Sequence, residues 1–461
     1  MGKELLLKTL RHEITEQVPW VPFAGVHAGK LKGFDAEEVL KDADKLFISL
    51  MEARRLYDPD GMPVVFDLQL EAEILGCELL WSKENPPSVK SHPLAAGKTI
   101  PCACRIPAAD TGRIPVVLDV MKRMKAEVGD EVALYGLICG PFTLASHLRG
   151  SGIFMDMLKD PDYVRELVEY CAEVGCRMTD LYTEAGMDII AVVDPLVSQI
   201  SPKHFEAMLS DSFKAVFDYI RSKGAMSSFF VCGNATRQIG VMCETGADCV
   251  AVDENVDLAA AKAITDRYNI VIEGNIPLTT TMLYGNQKDN MKYVIDLLES
   301  VDHHNLIISP GCDMPYNIPS ENTIAAGQAV RRPGDVRSMI ENYESATEEI
   351  LVDIPDYGSL DKVLVEVFTL DSDTCAACAY MLKSVADVYD EIKDVADYIE
   401  YRHTKKENIA RTKKMGLANL PAICINGDIK WVSIIPDREE LIGEIIQYAG
   451  KCCPAKKAVV E

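Results

Sequence analysis

The chain has 461 residues, 48% hydrophobic and 26% charged, ordinary usage for a globular protein with one or two cores, and this excludes a disordered, collagen-like or disulfide-scaffold chain. Its 71 Asp+Glu against 47 Lys+Arg leave a net charge of −24, a field that repels phosphate backbones and anionic lipid and argues against nucleic-acid and membrane partners. Fifteen cysteines with no signal peptide ahead of them predict reduced thiols in a cytoplasmic protein.

The N-terminus reads as a short amphipathic helix, and no run approaches the roughly eighteen apolar residues of a membrane span. Short β-branched runs then alternate with helical-period segments. Candidate strands are Val18–Phe23, Met62–Phe66, Val132–Ile138, Met187–Asp194, Ser227–Gly233, Ala247–Asp253, Asn269–Gly274 and Asn305–Ser309. Such alternation is the βαβ pattern of a parallel sheet, and its length predicts a (β/α)8 TIM barrel, with a doubly wound sheet as the alternative. The barrel is favoured because nearly every run ends in a reactive or backbone-permissive residue: His27, Asp67, Cys139-Gly140, Asp194, Cys232-Gly233, Asp253-Glu254, Gly274-Asn275 and Gly311-Cys312. In a closed barrel those ends share one mouth.

Cys232 and Cys312 stand out there, because turn chemistry does not call for cysteine. Two thiolates on one rim suit zinc, which needs three protein ligands and an open position to turn a substrate thiol into a metal thiolate. A disulfide between them is the non-metal alternative. Asp194 and Asp253 are the candidate catalytic carboxylates, the Asp253-Glu254 pair as acid and base or as ligands. Gly274 shapes the mouth backbone, and Asn275 reaches toward a bound cofactor or substrate.

Beyond Pro355-Asp-Tyr-Gly358 the pattern changes. A strand-like run Lys362–Leu370 leads to Cys375-Ala-Ala-Cys378, then helix, strand, helix, two strands and a last helix. That order resembles a thioredoxin fold, with Leu420-Pro421 at the position of the family's cis-proline loop. The Cys-x-x-Cys sits at a helix N-terminus, where the macrodipole favours the thiolate of Cys375, so Cys375 and Cys378 read as a redox dithiol. The expected domains are residues 1–357 and 358–461.

Several motifs of the first domain occur in order: Gln17-Val-Pro-Trp-Val-Pro22, Tyr57-Asp-Pro-Asp-Gly61, Glu71-Ala-Glu-Ile-Leu-Gly76, Gly140-Pro-Phe-Thr-Leu-Ala145, Phe230-Val-Cys-Gly-Asn234, Glu273-Gly-Asn275 and Ser309-Pro-Gly-Cys-Asp313. Through them the chain resembles the uroporphyrinogen decarboxylase superfamily, and within it the corrinoid-dependent methyltransferases. The resemblance implies a zinc that activates a thiol to take a methyl group from cobalt. True porphyrinogen decarboxylases resemble one another in an arginine-rich loop after the first strand; Phe23-Ala-Gly-Val-His-Ala-Gly29 has no arginine, which disfavours that activity. The methyltransferase pattern has His-x-Cys-Gly in the fifth-strand loop, and here Phe230 holds the histidine position. His27 is the preferred replacement ligand beside Cys232 and Cys312, with Asp194, Asp253 and Glu254 behind it. No Asp-x-His-x-x-Gly cobalamin signature occurs, so the corrinoid, as methylcobalamin, is expected on a partner protein, with a small thiol as the second substrate and a homo-oligomer left open.

Overall fold

The computed structural model describes residues 2–344, 350–372, 375–417 and 419–452. The chain divides into two compact units, Met1–Ser345 and Ala346–Glu461.

The first unit is built on a 7-stranded parallel sheet. Its strands are β1 (Gly61–Val65), β2 (Ala133–Cys139), β3 (Ile189–Val193), β4 (Met226–Val231), β5 (Cys249–Val252), β6 (Val271–Ile276) and β7 (Leu306–Pro310). All but Met226 are fully buried along these runs, as a sheet covered on both faces requires. Helices such as α1 (Pro141–Arg149), α2 (Pro161–Glu184) and α3 (Ser210–Ser222) connect them.

Spatial order equals chain order, the pattern of a barrel; a doubly wound sheet reverses direction at a switch point. Curvature follows from one distance. Ends of β4 and β7 are three strands apart, about 14 Å in a flat sheet at about 4.8 Å per strand. Yet Cys232 and Cys312, just past those ends, have Cα atoms 6.2 Å apart.

The first expected strand, Val18–Phe23, is corrected to a single bridge, Trp20 to Ile308. Pro19 and Pro22 remove two ladder donors, so no regular strand can form there. The segment still ties both sheet edges together: Val21 N–H donates to Ile308 O at 3.0 Å, and Asp60 N–H donates to Trp20 O at 2.9 Å. Inside the curl, Val21, Phe23, Phe66, Tyr135, Leu137, Val193, Phe230, Ala251 and Ile307 form one apolar core, with Leu6 and Leu10 of the N-terminal helix Gly2–Leu10 packed into it.

The second unit has a 4-stranded sheet. Strand β8 (Val363–Thr369) pairs in parallel with β9 (Ala396–Arg402) and antiparallel with β10 (Ala422–Ile425), which pairs antiparallel with β11 (Asp428–Val432). Helices α4 (Ala376–Ala386), α5 (Lys406–Lys414) and α6 (Arg438–Cys452) complete it. Its own core joins Val363, Val365 and Val367 to Met381, Val385, Ile392, Leu441 and Ile445. The Leu420–Pro421 peptide is cis.

Candidate active site at the barrel mouth

Cys232 and Cys312 meet at the mouth and are paired as a disulfide, both half-buried. One acidic dipeptide lies under both turns. Asp253 accepts the backbone N–H of Gly233 and two bonds from Asn255, at 2.8 Å from its N–H and 3.1 Å from its side chain. Glu254 packs against the other turn: a Cβ on Gly311 would stand 2.7 Å from its Oε2, so only glycine fits beside it. Burial pushes the Glu254 carboxyl up to about 8, and the charge of Asp253 acts in the same direction. Asp253, a fully buried neighbour, is raised to about 6.

Asn275 lies buried beneath the acidic turn. Its amide group donates to Asp253 O at 2.8 Å and Val256 O at 2.7 Å, bracing the acidic turn. Gly274 supplies close approach, since a Cβ there would lie 2.7 Å from Val252 O.

Asp194 is placed as a helix cap. Helix α1 starts after Gly140, which has no side chain to cap it, and a Cβ at Gly140 would collide with Asp194. From the end of β3, Asp194 accepts Phe142 N–H at 2.9 Å, Thr143 N–H at 3.1 Å and Thr143 Oγ1–H at 2.6 Å. These donors and the helix dipole stabilise its charge, while burial raises its carboxyl to about 6. A carboxylate so occupied positions a helix.

His27, the expected third metal ligand, has both ring nitrogens engaged within the protein. It is fully buried, its Nδ1 is 3.0 Å from Tyr316 O, and its Nε2 is 2.6 Å from Tyr57 Oη, so both ring nitrogens have partners. Burial lowers it to about 4, which keeps the ring neutral above that pH. Phe230 is buried against Phe23, ring centroids 5.1 Å apart, and fills the position where the methyltransferase pattern has histidine. Among the described residues, no group of three or more His, Cys, Asp or Glu could hold a metal ion. The residues described at the mouth therefore do not fit a three-ligand zinc: of the expected set Cys232, Cys312 and His27, the two sulfurs meet each other and His27 bonds elsewhere. Tyr57→Phe should leave His27 Nε2 unpartnered and cost about 1–2 kcal/mol of stability, read by urea unfolding; an unchanged midpoint would show that the bond contributes nothing.

Sequence reasoning passed over Asp313 and the Glu71 neighbourhood as chemistry. Asp313 accepts Gly25 N–H at 2.8 Å, joining the last strand's turn to the first. Glu71 is buried, accepts Cys139 N–H at 3.0 Å and is pushed up to about 7 by desolvation. Nearby, Arg113 pairs with Asp67 at 2.6 Å and Glu73 at 2.7 Å. Asp313 follows Cys312 directly and Glu71 opens Glu71-Ala-Glu, the signal the sequence carries for each.

The family model for uroporphyrinogen decarboxylase (URO-D) matches residues 1–333. The chain belongs to the uroporphyrinogen decarboxylase family. Among curated relatives, the methylcobamide:CoM methyltransferase MtbA of Methanosarcina mazei is 27% identical over 333 residues, covering 69% of this chain and 94% of that protein. MtaA of Methanosarcina barkeri, also named methylcobamide:CoM methyltransferase, is 29% identical over 58% of this chain and 79% of its own length. A uroporphyrinogen decarboxylase of Prochlorococcus marinus is 23% identical over 61% of this chain and 81% of its own length. A solved methyltransferase structure from Methanosarcina mazei superposes with TM-score 0.65 at 24% identity, covering 72% of this chain and 98% of that one, which shows the family's TIM-barrel-like fold.

In the second unit, Cys375 precedes helix α4 as its N-cap, and its Sγ accepts Cys378 N–H at 3.3 Å. Cys375 is half-buried and Cys378 fully buried, its thiol pushed well above the ordinary value by desolvation and by Cys375. The outer sulfur is therefore the one a partner can reach. Among the described residues, no helix is long and apolar enough to cross a membrane.

Proposed function

We propose that this family member is a corrinoid-dependent methyltransferase, moving a methyl group between a corrinoid carried by a separate protein and a small thiol. The observation that carries this reading is the similarity to a methylcobamide:CoM methyltransferase along 94% of that protein's length. The corrinoid, when bound, supplies an electrophilic cobalt-bound methyl group. The chain must bind the acceptor thiol and remove its proton, since the thiolate is the nucleophile. With no fit for a zinc, that role falls to the Asp253-Glu254 pair. Glu254, raised to about 8, accepts a thiol proton in its ionised form, a minor fraction at pH 7 that grows as pH rises toward 8, and Asp253 holds the turn of Cys232 in register. Porphyrinogen decarboxylation is disfavoured by the loop Phe23–Gly29, which lacks arginine.

The second unit is proposed as a thioredoxin-like domain. Its sheet order, β9-β8-β10-β11 with one parallel and two antiparallel pairings, supports this, as do the cis Pro421 and the half-buried and buried pair Cys375 and Cys378. Its role would be to keep acceptor or barrel thiols reduced.

The full chain, given methylcobalamin and coenzyme M or another small thiol, should consume methylcobalamin absorbance and form the methyl thioether. No thioether with any thiol overturns the assignment. Glu254→Gln should lower turnover about 100-fold near pH 7 and flatten its pH dependence. Cys375→Ser should stop turnover from being sustained without added reductant; unchanged turnover would rule out an obligatory thiol-reducing role.

A further inference from the structure

We infer that Cys232 and Cys312 form a reversible thiol–disulfide couple at the barrel mouth, and that a dithiol reductant opens the acceptor site by reducing it. The inference deepens the methyl-transfer reading and rests on it for the gating step alone. The two sulfurs are paired, with Cα atoms 6.2 Å apart, inside the 4.4–6.8 Å window that a disulfide spans without moving the backbone. Among the described residues no His, Cys, Asp or Glu, Asp253 and Glu254 included, joins the two sulfurs in a group of three that could hold a metal ion; Phe230 is apolar and buried, and both nitrogens of His27 have partners. A catalytic zinc needs three.

Accessibility separates this pair from the buried cysteines of the first unit, where Cys102 and Cys104 are exposed and Cys176 is half-buried. Cys139, Cys171 and Cys249 are buried, whereas Cys232 and Cys312 are half-buried at the rim. The frame beneath them is common to both turns. Asp253 holds Gly233, Glu254 packs on Gly311, and Asn275 braces the dipeptide. Breaking the S–S bond leaves that frame intact, so the two thiols stay opposed and can close again.

The step balances. A thiolate of the dithiol attacks one sulfur of the pair and forms a mixed disulfide, and the other cysteine leaves as thiolate. The reductant's second thiolate then displaces the remaining cysteine. Two electrons enter the pair, the reductant ends as its disulfide, and its two protons settle on Cys232 and Cys312. In the oxidised state neither sulfur is available and the pair bridges two rim turns. In the reduced state the bridge is gone and the rim is free to admit a thiol substrate beside Glu254.

The test uses the full chain equilibrated in oxidised and reduced dithiothreitol mixtures, alkylated with N-ethylmaleimide and analysed by peptide mass spectrometry. The expected result is a Cys232–Cys312 linked peptide that falls at least tenfold on reduction, gives one label on each cysteine, and returns on reoxidation. In Cys312→Ser, Cys232 should appear free or as a mixed disulfide with dithiothreitol, while circular dichroism confirms the fold. Thiols that never link at any mixture overturn the couple. So does one zinc per chain, bound by the reduced protein from added zinc and lost in both Cys232→Ser and Cys312→Ser. Methyl transfer is read separately on the same samples. Equal turnover in both redox states overturns the gate, whereas reversible linkage with no turnover in either state overturns the methyl-transfer reading and leaves the couple standing.

Discussion

Asp194→Ala should destabilise the barrel unit by about 3–5 kcal/mol, a loss visible as a clear fall in urea midpoint and melting temperature. The size follows from what Asp194 holds. Its carboxylate is fully buried and takes three donors, Phe142 N–H, Thr143 N–H and Thr143 Oγ1–H, all at the start of helix α1. Alanine would leave those donors in a dry site at about 1–3 kcal/mol each, part of which relaxation recovers. Gly140 gives the helix no cap of its own, so no local side chain takes over. Asp194→Asn should cost less, since one amide oxygen still accepts while its NH2 faces a donor. If alanine and wild type unfold at the same midpoint, the cap assignment fails. A catalytic Asp194 would instead show normal stability with lost turnover.

Glu273→Gln should stabilise the barrel on the order of 3 kcal/mol near pH 8 and leave it little changed near pH 4.5. Glu273 points into the core from β6, fully buried, with Cys249 Sγ 3.8 Å from its carboxylate. Desolvation pushes its carboxyl up to about 8 from an ordinary 4.5. The folded state thus binds its proton more tightly than the unfolded state. The stability tied to that proton is fully present below pH 4.5 and disappears as pH rises through 8. Glutamine mimics the protonated acid at every pH, so the variant's stability curve should lie flatter across this window. Urea unfolding at pH 5 and pH 8.5 decides it: a shift of equal size at both would remove the titration and leave only packing. Glu71 and Glu254, raised for the same reason, carry the same sign, so a decline toward alkaline pH should persist in the variant.

Much of the first unit is legible in the chain because each strand is a short apolar run bounded by Gly, Pro or Asp. The strand that fails does so for a local reason, prolines at positions 19 and 22, and that reason was visible in the sequence. The pairing of Cys232 with Cys312 also has a sequence signal, since each follows a strand of the same parallel series. The roles of Asp194, His27 and Asn275 had none. Each sits at a strand end in the chain, but what it touches comes from residues 19 to 289 positions away.

The sequence by itself determines the alternation of strand and helix, membership in the uroporphyrinogen decarboxylase family and the two places where paired cysteines stand, while the units divide at Ser345–Ala346, ahead of the change of pattern expected at residue 358. These are properties of short windows, set by periodicity and residue chemistry. Tertiary structure alone decided which strand-end groups remain free for chemistry. Closing the barrel buries Asp194, His27 and Asn275 and forces each to find hydrogen-bond partners, because an unpaired buried polar group costs too much to keep. Half-buried Cys232, Cys312 and Glu254 are left at the rim, two sulfurs and a raised carboxyl where the linear pattern suggested a metal.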